Sequence, residues 1–290
     1  MDLIQYLVSG ISIGSAYALI AIGFNLIYNA TGIINFAQGE FVMLGGMGSV
    51  YFYHYLHFPL IFAILSGILL AGVTGILVER LSIRPIRDAS ILSLIIVTIG
   101  DSILIRGIAM LVWDKNSHAL PSFSGDIPIR FLGAAVSPQY IWIIVVSIIS
   151  MLLLGGFFRY TITGKAMLAS SVDPVAARLV GINVERVTMY SFFISALFSG
   201  MAGALMTPVT LTSYDIGISL GLKGFAAAVV GGLGRMSGAL VGGIILGIVE
   251  SFSAGLISSG YKDAITFGLL LLFLYMRPQG IVGEIKAERV

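Results

Sequence analysis

Long apolar runs separated by short polar segments dominate the chain. A transmembrane helix needs about 20 mostly apolar residues, because lipid offers backbone groups no hydrogen-bond partners. Runs of this kind predict membrane-spanning helices over eight ranges: 3–28, 33–55, 59–79, 90–112, 139–158, 188–208, 238–257 and 262–276. The range 220–236 is also apolar, but it is short and rich in glycine, so it is either a thin span or a re-entrant segment. We therefore expect an all-α polytopic helix bundle with eight or nine crossings, forming one transmembrane domain over residues 1–290.

The composition agrees with a membrane protein. Of the 290 residues, 58% are hydrophobic and 10% are charged, whereas soluble domains carry roughly 25% charged residues. So few charges cannot cover a soluble surface. The net charge of +2 is too small to indicate a nucleic-acid partner. The N-terminus lacks the basic region of a secretory signal peptide, so the first apolar run is predicted to be a retained span.

The basic residues predict the orientation, because cytoplasmic loops are enriched in Lys and Arg. They cluster in three segments: Arg80, Arg84 and Arg87; Arg159, Lys165, Arg178 and Arg186; and Arg277, Lys286 and Arg289. All three segments are expected to be cytoplasmic, which puts the C-terminus inside and the N-terminus outside if 220–236 crosses the membrane. If 220–236 is re-entrant, one of the other boundaries is wrong. Residues 159–187 then form a cytoplasmic loop, and 113–138 form the main external loop.

The predicted cytoplasmic loop contains a short helix with a signal at each end. Asp173 can accept a hydrogen bond from a first-turn amide, and Pro174 suits the first helical position. Gly181 is a natural left-handed stop. The side chains between them include the small Ala176 and Ala177. A helix lying flat on lipid would favour bulky apolar residues, whereas small residues suit insertion into a groove of another protein.

A polar cluster also enters the second predicted span. Residues 32–40 place Asn35, Gln38 and Glu40 among apolar neighbours, with Gly39 between the last two. Polar and ionisable groups inside a membrane are costly and usually face a bundle interior or a water-filled cavity. These four residues are therefore candidates for lining or gating a pathway. An interfacial or structural role is equally compatible, because a helix that starts here would favour an acidic residue near its positive end.

Other charged residues lie within or near the spans. Asp101 and Arg106 are five positions apart and diverge by roughly 140° on an ideal helix, so each needs a partner elsewhere. Glu250 also falls within a span. Lys223 lies near a span end, where a long side chain can reach the interface.

Enzyme chemistry finds little support in the sequence. The three histidines, His54, His57 and His118, fall in or near external segments and lack an evident acidic third ligand. The glycine cluster at 231–238 has neither the Walker A spacing nor the Rossmann fingerprint, so it predicts a tight turn between apolar segments. We expect no catalytic residue, no metal and no cofactor bound by this chain.

Several motifs together resemble one transporter family. They are the segments 14–23, 32–40, 79–87, 231–234 with 238–243, 261–263 and 277–281. These segments resemble the first permease of the high-affinity branched-chain amino-acid ABC importers, and the resemblance covers essentially the whole chain. It implies a transport subunit of a bacterial inner membrane, for leucine, isoleucine and valine or, in some family members, for urea or short-chain amides.

The same resemblance implies an assembly. A second permease, either a paralogue or another copy, would complete the pathway. Two cytoplasmic ATP-binding subunits would use ATP, and a periplasmic or lipid-anchored protein would deliver the substrate. The helix from Asp173 to Gly181 would be the coupling helix that docks on an ATP-binding subunit. A stand-alone channel or secondary transporter is the alternative, but it would not explain this capped helix.

Overall fold

The computed structural model describes residues 2–87, 89–125, 127–131, 134–277 and 279–282, and it confirms a polytopic helical bundle. A π-helical turn, Glu79–Ile83, and a 3-10 turn, Arg84–Ile86, extend the third helix, and another 3-10 turn, Ser259–Tyr261, precedes the last one. Two short strands form an antiparallel hairpin. The elements are α1 (Asp2–Thr31), α2 (Gln38–His54), α3 (Leu60–Val78), α4 (Ile91–Trp113), β1 (Ile129–Phe131), β2 (Ala134–Val136), α5 (Pro138–Tyr160), α6 (Ile162–Val172), α7 (Pro174–Leu179), α8 (Val184–Thr210), α9 (Ile216–Gly231), α10 (Met236–Leu256) and α11 (Lys262–Met276).

Six helices within the described ranges are long and apolar enough to cross a membrane, namely α1, α3, α4, α5, α8 and α10. Helices α2, α9 and α11 are apolar but shorter, with 17, 16 and 15 residues. The predicted span 33–55 is shortened because residues 32–37 form a bent connection and α2 begins only at Gln38. The range 220–236 becomes α9, which ends before the positive-φ residue Gly232. The number of crossings, eight or nine, stays a prediction.

Central and peripheral helices differ in what surrounds them. The middle of α1 is buried on every side, with Tyr17, Leu19 and Ile20 fully enclosed. A helix that is apolar all round belongs in the centre of a bundle. By contrast, α4 and α5 expose large apolar side chains such as Leu111 and Leu152. These exposed apolar faces suit contact with lipid chains rather than with water.

Small residues let the central helices cross closely, as their four-residue spacing suggests. The crossing of α1 and α10 shows this best. A Cβ atom added at Gly14 would lie 2.7 Å from the backbone oxygen of Gly243. A Cβ atom added at Gly243 would lie 2.6 Å from the backbone nitrogen of Ala18. Larger residues at these positions would force the two helices apart.

The segment between α4 and α5 is tied to the helix ends beside it. His118 and Thr212 exchange two backbone hydrogen bonds, of 2.8 and 2.9 Å. His54, at the end of α2, contacts the backbone oxygen of Ala119 at 3.1 Å. The N–H of Asn116 donates to the exposed carboxylate of Asp114 and thereby lowers its pKa from the ordinary value. These contacts place the end of α2 and the connection before α9 at one end of the bundle.

Candidate functional site

The first candidate site is the short helix α7 and the turns that bound it. The carboxylate of Asp173 accepts hydrogen bonds from the N–H groups of Val175 and Ala176, at 2.8 and 2.9 Å. Pro174 occupies the first helical turn, where a missing N–H leaves nothing unsatisfied. The helix start predicted from the sequence is therefore present.

The end of α7 is capped as well. Gly181 adopts a left-handed conformation with φ of +88°. Its N–H donates to the oxygen of Arg178 at 3.0 Å, and the N–H of Ile182 donates to the oxygen of Ala177 at 3.0 Å. This pair of bonds is the Schellman motif, which satisfies carbonyls that would otherwise lack a partner. Both ends of this six-residue helix are therefore capped by hydrogen bonds within the chain.

The two alanines of α7 lie on different faces of the helix, since adjacent helical residues are about 100° apart. Ala177 is only 3% exposed and packs into the chain itself, whereas Ala176 is exposed. The exposed face also carries larger side chains, Val175, Leu179 and Val180, and Leu179 is 85% exposed. The outward surface of α7 is therefore formed by branched aliphatic residues more than by small ones. We refer to Val175, Ala176, Leu179 and Val180 as the docking face.

One ion pair connects the start of α8, next to α7, to the segment after α3, and a second one lies within the extension of α3. Arg87 pairs with Glu185 in the first turn of α8. Arg84 binds both carboxylate oxygens of the buried Glu79, at 3.0 and 2.9 Å. A cavity of about 280 Å³ lies between these elements, with Arg84, Glu185 and Arg178 of α7 in its wall. The side chain of Arg178 on α7 therefore lies on the same cavity as the end of α3 and the start of α8.

The second candidate site is the connection 32–37 with the start of α2. Asn35 is buried, and its side-chain oxygen accepts from the N–H of Ala37 at 3.1 Å. Gln38 is fully buried and donates to the hydroxyls of Ser195 and Ser199 on α8, at 2.8 and 2.6 Å. These contacts hold the bent connection and fasten α2 to α8. A direct role of Asn35 or Gln38 in the pathway stays a prediction.

Gly39 has a clear geometric reason to be glycine. It lies directly against α9, so that a Cβ atom added at Gly217 would be 2.6 Å from the Gly39 oxygen. A Cβ atom added at Gly221 would be 2.8 Å from the Gly39 Cα. Because the backbones touch, the side chain of the next residue, Glu40, lies over Gly217, and its Oε2 would be 2.9 Å from a Cβ atom there.

Glu40 is buried but only half satisfied. Its Oε1 accepts a hydrogen bond of 2.7 Å from the hydroxyl of Ser102 on α4. Its Oε2 has no hydrogen-bond partner among the residues that the structure describes. Glu40, Gly39 and Ser102 line a cavity of about 250 Å³ between α2, α4 and α9, and Arg106 lines the same cavity. Asn35 and Gln38 do not line it.

The side chain of Lys223 does not extend to the membrane interface, so the expectation from the sequence is wrong. It is 4% exposed, and its Nζ lies 2.7 Å from Glu250 Oε1 and 2.7 Å from Asp263 Oδ1. The hydroxyl of Tyr17 donates to Glu250 Oε2 at 2.7 Å. This ion cluster joins α1, α9, α10 and α11. The sequence signal was available, since a lysine and a glutamate in two apolar segments each require a buried partner.

Asp101 and Arg106 are not partners of each other among the described residues, in agreement with their spacing. The hydroxyl of Ser82, in the π-helical turn, donates to Asp101 Oδ1 at 2.6 Å. Arg106 is directed to the cavity beside Glu40 instead. The two charged residues of α4 therefore have different neighbours: Ser82 for Asp101 and the cavity for Arg106.

Comparisons with known proteins match nearly the whole chain. A family model described as "Branched-chain amino acid transport system / permease component" matches residues 6–274. The chain is 35% identical to the high-affinity branched-chain amino acid transport system permease protein LivH of Escherichia coli K12, over 99% of this chain and 97% of LivH. It is also 35% identical to the permease protein BraD of Pseudomonas aeruginosa, over 99% and 98% of the two chains.

A solved structure has a similar fold. It is PsaBC from Streptococcus pneumoniae in complex with Fab, with a TM-score of 0.51 and 14% sequence identity. The match covers 96% of this chain and 93% of the other. At this identity, the likeness concerns the arrangement of helices alone.

Proposed function

Since the chain belongs to the family of permease components of branched-chain amino acid transport systems, we propose that it forms part of the membrane pathway of an ATP-driven importer for leucine, isoleucine and valine. It is a transport subunit and not an enzyme. Two relatives whose printed names specify this substrate class are similar over nearly their full length. That support favours branched-chain amino acids over urea or short-chain amides.

The observation that carries the ATP-driven mechanism is α7, a short helix capped at both ends with an aliphatic docking face turned away from the bundle. An exposed face of this kind suits a hydrophobic groove on another protein. In the proposed mechanism the groove belongs to an ATP-binding subunit. Closure of two such subunits around ATP moves α7 and, through the short connection 180–183, the start of α8. The ion pair between Arg87 and Glu185 joins that start to the segment after α3.

The proposed assembly contains further subunits. A second permease, a paralogue or another copy of this chain, completes the pathway, and two ATP-binding subunits bind the docking faces. A periplasmic or lipid-anchored binding protein delivers the amino acid to the segment 113–138. The chain itself binds no cofactor, because ATP is used by the partner subunits. The basic residues around Arg84, Arg159 and Arg178 support an inner-membrane orientation with this end, and with it the C-terminus, in the cytoplasm.

Reconstitution tests the proposed function. The chain is incorporated into liposomes with its partner permease, ATP-binding subunits and binding protein, and uptake of labelled leucine and labelled urea is followed with and without ATP. We expect leucine uptake that requires both ATP and the binding protein. Urea uptake under the same conditions would contradict the substrate assignment. Leucine uptake by this chain alone, without ATP, would contradict the importer mechanism and indicate a channel.

A substitution on the docking face tests the role of α7. Leu179→Asp puts a charge on the most exposed position of that face, and Leu179→Met is the matched control that keeps it apolar. We expect Leu179→Asp to abolish ATP-driven uptake and to weaken recovery of the ATP-binding subunits with the permease, with the bundle still folded. Leu179→Met should transport like the unaltered chain. Equal uptake by the two variants would remove α7 from the coupling mechanism.

A further inference from the structure

The cavity beside Glu40 has one acidic group, one basic group and an apolar wall. Its volume of about 250 Å³ is slightly below the roughly 300–1,000 Å³ of pockets for drug-sized ligands, so it suits a molecule of amino-acid size. Its charged residues are Glu40 on α2 and Arg106 on α4. The wall around them is formed mostly by aromatic and branched aliphatic side chains: Phe24, Phe36, Ile103, Ile218, Leu222 and Phe225.

The unpaired Oε2 of Glu40 is the feature that indicates a ligand in the cavity. Buried carboxylate oxygens in folded proteins normally have a donor, because an unpaired buried charge is costly. Glu40 is 1% exposed, Ser102 satisfies only Oε1, and no side chain in the described residues donates to Oε2. A ligand with several N–H donors, such as an ammonium group, would complete this arrangement.

Arg106 supplies the opposite charge on the same cavity. A guanidinium group presents paired donors that match a carboxylate. No ion pair joins Arg106 to Glu40 among the described residues, so the two charges are not cancelled by direct contact. A ligand carrying both an ammonium and a carboxylate can therefore meet both groups at once, while an aliphatic side chain lies against the apolar wall.

The position of the cavity indicates where the second permease lies. The cavity opens on a surface formed by α4 and α9, where Ile103 and Ile218 are exposed on the isolated chain. Charged groups within membrane spans face protein or water-filled cavities rather than lipid. In the proposed assembly the second permease would cover the surface around Glu40 and Arg106, and the cavity would then lie at the boundary between the two subunits.

From this geometry we infer that the cavity is a binding station for a zwitterionic aliphatic α-amino acid, with its ammonium group at Glu40 Oε2 and its carboxylate at Arg106. The inference rests on the proposed function and names the residues that hold the solute. Urea has neither an ammonium nor a carboxylate and would leave both charges uncompensated. The station would therefore discriminate against urea even when the binding protein does not.

Competition binding on the permease–ATPase complex in nanodiscs tests the inference. The displacement of labelled leucine is measured with unlabelled leucine, with leucinamide, which lacks the carboxylate charge, and with 4-methylpentanoate, which lacks the ammonium. Loss of one charge-assisted contact should weaken competition by roughly tenfold to a hundredfold. In Arg106→Gln, leucinamide should compete as well as leucine. In Glu40→Gln, 4-methylpentanoate should compete as well as leucine.

A matched control tests whether the loss of any nearby buried charge, rather than the loss of a ligand contact, changes the discrimination. Asp101→Asn changes another buried carboxylate of the same region, which also accepts from one serine and does not line the cavity. This variant should keep the discrimination of the unaltered complex. Unchanged discrimination in both Glu40→Gln and Arg106→Gln would overturn the inference, as would equal changes in Asp101→Asn. ATP-driven leucine uptake by the unaltered complex, measured in parallel, shows whether the proposed function itself holds.

Arg106→Gln is a test independent of Glu40→Gln, because Arg106 lies on another helix and is only partly buried. If Glu40→Gln does not fold, Arg106→Gln still decides the outcome through its response to leucinamide. In the transport assay, Arg106→Gln should raise the concentration of leucine-loaded binding protein that gives half-maximal uptake, or it should lower the amount of leucine taken up per ATP hydrolysed. Uptake and ATP hydrolysis that both remain at the unaltered level would also contradict the inference.

Discussion

Two glutamates lie inside the same bundle and differ in how their charge is met. Glu250 is 5% exposed, with Lys223 on one oxygen and the Tyr17 hydroxyl on the other, each at 2.7 Å. Glu40 is 1% exposed, with Ser102 on one oxygen and no donor from the described residues on the other. The two glutamates are therefore buried to a similar extent but differ in the number of hydrogen-bond donors around their carboxylates.

If Glu40 binds the solute as inferred, this difference separates a structural glutamate from a functional one. The charge of Glu250 is compensated within the chain, so this residue joins α1, α9 and α10. For Glu40, no donor among the described residues meets the second carboxylate oxygen, and the side chain lies beside a cavity. A buried ionisable group in a membrane protein is by default a candidate functional site, and the count of its partners decides between the two roles.

The largest expected effect is the loss of Lys223. Lys223→Met would leave the buried carboxylate of Glu250 without its cation, which typically costs about 3–5 kcal/mol of folding free energy. We expect a strong decrease in folded protein and in thermal stability in detergent. Lys165→Met, at an exposed position, is the control and should behave like the unaltered chain. A stable Lys223→Met protein would show that the ion cluster does not hold the helices together.

Neutralising each glutamate in turn sharpens the comparison directly. Glu250→Gln weakens two charge-assisted hydrogen bonds and should lower the free energy of unfolding by about 1.5–3 kcal/mol. Glu40→Gln removes a charge that has a hydrogen-bond donor on only one of its two oxygens among the described residues. The free energy of unfolding should therefore be unchanged or slightly higher, while the affinity for leucine falls. Thermal melts of both variants test this difference. Equal destabilisation by the two substitutions would contradict the separation of roles.

The contact between Tyr17 and Glu250 depends on the close crossing of α1 and α10. Gly14→Ala would place a methyl group within 2.7 Å of the Gly243 oxygen, and overpacking of this kind costs about 1–3 kcal/mol. Gly155→Ala on α5 is the control, because a Cβ atom there meets nothing within 4 Å. We expect a lower melting temperature only for Gly14→Ala. Equal melting temperatures would mean that the crossing adjusts freely.

The smallest expected effect concerns a third carboxylate, Asp173, whose partners are backbone amides rather than side chains. Asp173→Ala removes both hydrogen bonds at the start of α7, and loss of such a cap costs about 1 kcal/mol. We expect faster hydrogen exchange at the amides of Val175 and Ala176 with little change in overall stability. Asp173→Asn keeps an acceptor and should exchange more slowly than Asp173→Ala. Identical exchange in the two variants would contradict the capping role.

Local signals explain what the sequence could predict. The apolar runs are long enough to identify the bundle, and Asp173, Pro174 and Gly181 define α7 because caps depend on adjacent residues. The helix α6 was not predicted, because its 11 residues are too few for a membrane span and include a glycine and two serines, which are weaker helix formers. The hairpin of β1 and β2 was not predicted either, since three-residue strands carry almost no alternation.

Contacts between distant residues explain what the sequence could not. Gln38 and Glu40 are two positions apart and both have polar side chains. Gln38 donates to serines of α8, whereas Glu40 lines a cavity with Arg106. No spacing rule distinguishes them, because their partners lie more than 60 positions away along the chain. The sequence indicates that Lys223 needs a buried partner, but which carboxylates serve depends on α9 packing against α10 and α11, which periodicity within α9 does not reveal.

The most direct test of the account is a structure of the complete transporter, with hydrolysis-deficient ATP-binding subunits, trapped with leucine. The account predicts leucine in the cavity between α2, α4 and α9, with its ammonium within hydrogen-bond distance of Glu40 Oε2 and its carboxylate at Arg106. The contradicting result would be a leucine bound elsewhere, with Glu40 Oε2 paired to a side chain of the second permease. Glu40 would then be a structural group like Glu250.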